Sequence, residues 1–115
     1  MTLFLSDPMA RLPGFPRMGP SEFPFPAALK TGTSAGCRDA WALAWSDRAV
    51  VGVWVGRPDF RPMKALGGYA AAAALTRSIL SLRHGDQLDG FSDRPFPPPR
   101  GYLPTRICAT TGLLP

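Results

Sequence analysis

Asparagine is absent from this sequence, and glutamate and histidine occur once each, as Glu22 and His84. Each scarcity closes a route. One glutamate in a proline-rich stretch gives little support to the paired carboxylates of a glycosidase. A Ser-His-Asp arrangement would have to use His84, which sits beside Gly85 at the end of a helical pattern. The two cysteines, Cys37 and Cys108, lie in different segments. Spacing alone does not pair them, and with one histidine no zinc set can be assembled. No P-loop or dinucleotide fingerprint is present. Long hydrophobic runs are missing too: Tyr69–Leu82 is interrupted by Thr76, Arg77, Ser78 and Ser81, too polar for a bilayer span. Leu3-Phe4-Leu5 is too short for a secretory apolar core and no basic residue precedes it, so no export signal is expected in these residues.

What is abundant is proline and glycine, 14 and 12 of 115 residues, above their usual shares. The prolines are clustered. Six fall in residues 1–26 and six in 95–115, whereas 27–94 holds only Pro58 and Pro62. This divides the chain into a proline-rich stretch with a short helical turn (1–26), a foldable centre (27–85) and a second proline-rich stretch that reads as a linker (86–115). The centre is small for an independent core, so exposed apolar faces and a loosely folded product are expected. Net charge is +5, yet eleven of thirteen basic residues are arginines scattered singly. Nucleic-acid binding needs basic charge concentrated on one face, so no nucleic-acid partner is expected.

Asp7 is placed to cap a helix with Pro8 in its first position, stopped by Pro13-Gly14. Phe15, Phe23 and Phe25 are expected to tuck against apolar surface. Ala27–Thr33 reads as a strand. Asp39–Trp45 and Ala49–Val55 both alternate with period two around Ser46-Asp47-Arg48, which predicts an antiparallel hairpin. Its alanines and Gly52 are read as a small face that lets a helix approach, and Trp41, Trp45 and Trp54 as core. That helix is expected over Gly68–Arg83, presenting Ala72, Leu75, Ile79 and Leu82, with Gly85 as its stop. The fold class is α+β, three antiparallel strands on a C-terminal helix.

One motif carries chemistry: Lys30-Thr31-Gly32-Thr33-Ser34 at the end of the first strand. A lysine supplies positive potential for a carboxylate, and two hydroxyls two residues apart leave the same strand face toward one anion. Gly32 is read as the place where another element comes close. The K-T-G triplet is one of the marks of serine β-lactamases and penicillin-binding proteins. Together with Phe25–Leu29 before it, Cys37-Arg38-Asp39-Ala40-Trp41-Ala42, Val51–Asp59, Leu5–Arg11 and Ile107–Leu113, it makes nearly the whole chain resemble the C-terminal part of class A penicillin-binding proteins.

The resemblance implies part of the serine β-lactamase/DD-transpeptidase fold, with Ile107–Leu113 as the start of a C-terminal β-domain, from enzymes that cross-link peptidoglycan on the periplasmic side of the inner membrane through a serine acyl-enzyme. It implies a proton-network role for Lys30, substrate-carboxylate binding by Thr31, Gly32 and Thr33, and an oxyanion-hole role for the Thr33 backbone N–H. No cofactor or metal is implied. The partners would be a peptidoglycan stem peptide or a β-lactam, and the remainder of a transpeptidase. The departures are equally specific. The residue three before Lys30 is Ala27 and three before Lys64 is Arg61, so S-x-x-K is absent, and without asparagine S-x-N cannot occur. Ser34 and Cys37 are the remaining nucleophilic side chains near the motif, but Lys30 should leave the strand on the side opposite Thr31 and Thr33, and no activating base is evident. Cys37 is expected to pack, and Arg38-Asp39 to form a local ion pair or a strand-end anchor. The expectation is a transpeptidase fragment inactive alone; the alternative is a non-enzymatic peptide- or anion-binding or docking module using the same edge strand.

Overall fold

Residues 1–12, 14–64, 66–85 and 95–114 are described in the computed structural model of the chain. The expected helix stop at Pro13, and residues 86–94 and 115 of the expected linker, lie outside them. Helix α1 spans Thr2–Ser6. Strands β1 (Ala28–Thr33), β2 (Asp39–Trp45) and β3 (Val50–Gly56) form one antiparallel sheet in the order β1-β2-β3. A π-helical turn, Tyr69–Ala73, leads into helix α2, Ala74–Gly85. The α+β arrangement of three antiparallel strands and a C-terminal helix is therefore as expected.

Register explains which face the helix covers. Ala42 pairs with Thr31 on one side and Val53 on the other, so the alanines of β2 share a face with Val53. That face is the core: Ala40, Ala42 and Ala44 are completely buried, with Leu29, Ala72, Ala73 and Leu80. Full burial of Leu29 and Leu80 stabilises the fold by about 1.5–3 kcal/mol each. Gly52 pairs with Leu43 on the other face, so it is not part of the small face under the helix. That outer face also carries Trp41 and Trp54, which pair with each other and are 48% and 46% exposed. Both are corrected from core to surface, and Trp45 is half-buried. The physical reason is distance. Helix and sheet approach too closely for an indole, and a Cβ on Gly68 would collide with the Gly32 and Trp41 carbonyls.

The helix face also differs from the one periodicity suggested. Ala72 and Ile79 pack on the core as expected, but Leu75 and Leu82 are exposed, and Thr76, Leu80 and His84 face inward at four-residue spacing. Two polar residues can take that face because each is satisfied there. The Thr76 hydroxyl donates to the Ala72 carbonyl at 2.8 Å, and His84 Nε2 lies 2.8 Å from Ser46 Oγ at the hairpin turn. His84 also stacks on Phe25 with ring centroids 3.7 Å apart.

Asp7 follows α1 instead of starting a helix. Its Oδ1 accepts the Met9 N–H at 2.8 Å, a local turn that competes with helix formation. The phenylalanines do pack. Phe25 is buried, Phe23 lies against the core, and Phe15 stacks on Tyr69 at 5.0 Å.

Candidate functional site

Strand β1 stands at one edge of the sheet, and the K-T-G residues occupy its second half. Lys30 pairs with Leu43, on the outer face, and Thr31 with Ala42, on the helix face. The lysine and the threonine hydroxyls thus leave the strand on opposite sides, as alternation requires. Lys30 is exposed, and its Nζ donates to the Thr31 carbonyl. Thr33 Oγ1 accepts the Gly68 N–H at 2.8 Å. Accepting that bond leaves the Thr33 hydroxyl proton free to be donated elsewhere.

The close approach expected at Gly32 has a different origin. A Cβ there would meet only the Trp41 Cβ, at 3.9 Å, an ordinary contact. The crowded position is Gly68, whose backbone lies against Gly32 and holds the helix entrance to the motif strand. The Gly67-Gly68 pair just before an alanine-rich helical stretch was the signal available for this contact.

Neither nearby nucleophile is activated by Lys30. Ser34 Oγ accepts the Asp39 N–H at 2.8 Å, and Ser34 N–H donates to the Asp39 carbonyl at 2.9 Å. Those bonds close the turn from β1 to β2. Cys37 is half-buried at φ 54°, and its carbonyl accepts the Met63 N–H at 2.9 Å. Both residues serve turn geometry. Asp39 is a strand-end anchor, since Oδ1 accepts the Trp54 indole N–H at 2.8 Å. Arg57 forks onto Asp59 at 2.8 and 2.7 Å, and those bonds hold the exposed Asp59 carboxyl down at about 2.

Two titratable groups lie away from the motif. Burial pushes His84 below the usual histidine range, with the nearby Arg48 charge adding to this and Asp47 opposing it. The exposed Cys108 thiol is brought down to about 7 by hydrogen bonds from the Thr111 side chain and the Thr110 and Thr111 backbone. No group of His, Cys, Asp and Glu among the described residues is arranged to hold a metal ion. No helix among them is long and apolar enough to cross a membrane.

Over 54 residues the chain is 48% identical to penicillin-binding protein 1C of Escherichia coli strain K12, covering 47% of this chain and 7% of that protein. The chain resembles a class A penicillin-binding protein. Penicillin-binding protein 1A of the same organism supports this, at 30% identity over 98 residues, 74% of this chain and 11% of that protein. The chain therefore spans only about a tenth, or less, of the length of these penicillin-binding relatives. No family model matches the chain, and no solved structure matches it.

Proposed function

We propose that this chain is the K-T-G part of a peptidoglycan DD-transpeptidase, working on the periplasmic side of the inner membrane. The supporting observation is the motif's position: Lys30-Thr31-Gly32-Thr33 on an edge strand, within a chain that resembles penicillin-binding proteins. In this reading the three-stranded sheet and α2 are a portion of the serine transpeptidase fold. Lys30 belongs to the proton network of a nucleophile supplied outside these residues. The Thr31 and Thr33 hydroxyls receive the carboxylate of a stem peptide or β-lactam, and the Thr33 N–H donates to the oxyanion. With no S-x-x-K or S-x-N, these 115 residues do not acylate by themselves. Incubation with a fluorescent penicillin, followed by denaturation and mass spectrometry, tests this. No covalent adduct is expected; an adduct on Ser34 or Cys37 would contradict it.

The second reading, a non-enzymatic module binding peptides or anions along β1, draws on the exposure of Lys30, Gly32 and Thr33. It requires reversible, carboxylate-dependent binding by this chain alone, removed by Lys30→Ala and by Thr33→Ala.

A further inference from the structure

A second site lies away from the motif. Between the N-terminal stretch and Pro95-Phe96 there is a cleft of about 380 Å³, within the size range of small-ligand pockets. Phe23, Phe25 and Phe96 supply apolar wall, and Arg11, Arg17 and Glu22 supply charge. Arg11 is the unusual member. It is only 8% exposed, which is rare for a guanidinium without a carboxylate fork. Its Nη1 donates to the Ser21 carbonyl at 3.0 Å, but Nε is buried and meets no acceptor among the described residues.

The neighbouring carboxylates do not fill this gap. Glu22 Oε1 is bonded by Arg17, and Asp7 Oδ1 by the Met9 N–H at 2.8 Å. Both favour the Arg11 cation through their field while burial opposes it. A buried cation without an ion-pair partner is costly, and because Arg11 lines the cleft, an anion seated there would offset that cost. Of the charged residues lining the cleft, Arg17 is paired with Glu22, which leaves Arg11 as the one cation without an ion-pair partner there. This matches a single negative charge better than a phosphate dianion, which Glu22 would repel. The three phenylalanines ask for an apolar body on the same molecule.

We infer that this cleft binds a singly charged carboxylate attached to an aromatic or similarly apolar group, with Arg11 as the anion partner. A small aromatic acid and the C-terminus of a peptide ending in phenylalanine share that chemistry. The site is independent of the K-T-G strand and does not rest on the transpeptidase reading.

The test uses the full chain, titrated with phenylacetate and acetyl-glycyl-phenylalanine and followed by NMR shifts of the Phe96 and arginine side-chain signals. Saturable binding of either is expected, at least tenfold tighter than its neutral amide. Preference for phenylacetate assigns a small acid, and preference for the dipeptide assigns a peptide end. Arg11→Gln should weaken binding at least tenfold, and Phe96→Ala several-fold. Lys30→Ala should leave it unchanged. Should Arg11→Gln fail to fold, the amide comparison and Phe96→Ala still decide. Equal binding of acid and amide, no saturable binding, or undiminished binding by a folded Arg11→Gln chain overturns the inference.

Discussion

The two faces of the sheet invert the usual relation between side-chain size and burial. Three alanines lie fully buried under α2, whereas Trp41 and Trp54 stand about half-exposed on the other side. Close approach explains the alanines of the inner face, because Gly68 brings the helix entrance onto the strand backbone at the Gly32 and Trp41 carbonyls. On the outer face, Trp41, Leu43, Val50 and Trp54 have no helix over them among the described residues. Burial here is decided by where backbone meets backbone, not by how hydrophobic a side chain is.

The largest expected effect breaks the inner face outright. Gly68→Leu forces a side chain into the Gly32 and Trp41 carbonyls and should abolish cooperative urea unfolding. Leu80→Ala, at a fully buried position, should cost about 2–5 kcal/mol. Leu82→Ala, at a position 68% exposed, should stay within about 0.5 kcal/mol. Equal costs for these two would mean that the assigned helix face is wrong.

A smaller effect sharpens the comparison at the helix end. Because the folded state holds the His84 pKa below its ordinary 6.5, the unfolded chain binds that proton more readily. The associated stability is complete above pH 6.5 and is lost as pH falls through the folded value. Thermal melts should show this acid-side slope, and His84→Gln should flatten it. The smallest effect lies off the sheet: alkylation of Cys108 should reach half its maximal rate near pH 7, and Thr111→Ala should move that midpoint upward.

Period-two alternation made the hairpin legible, and β2 spans Asp39–Trp45 as alternation predicts. Alternation separates two faces without saying which one is covered. Indole size alone favours the covered face, yet Trp41 and Trp54 stand on the open one. Apolar spacing located the helix but could not reveal that Thr76 and His84 turn inward, because their partners, the Ala72 carbonyl and Ser46, come from the folded chain. At the candidate site, residue types and strand placement were readable from Lys30-Thr31-Gly32-Thr33. The Thr33–Gly68 contact joins residues 35 positions apart and needed the fold. The Arg11 cleft was similarly hidden, since its walls come from the two proline-rich ends of the sequence.

The central claim is that the Lys30–Thr33 strand is a transpeptidase substrate strand. The most direct measurement replaces the matching segment of Escherichia coli penicillin-binding protein 1C with the corresponding residues of this chain and follows covalent labelling by fluorescent penicillin. The account predicts labelling that survives denaturation and is lost in Lys30→Ala. A folded chimaera that takes up no label, or whose labelling is indifferent to Lys30→Ala, would contradict it.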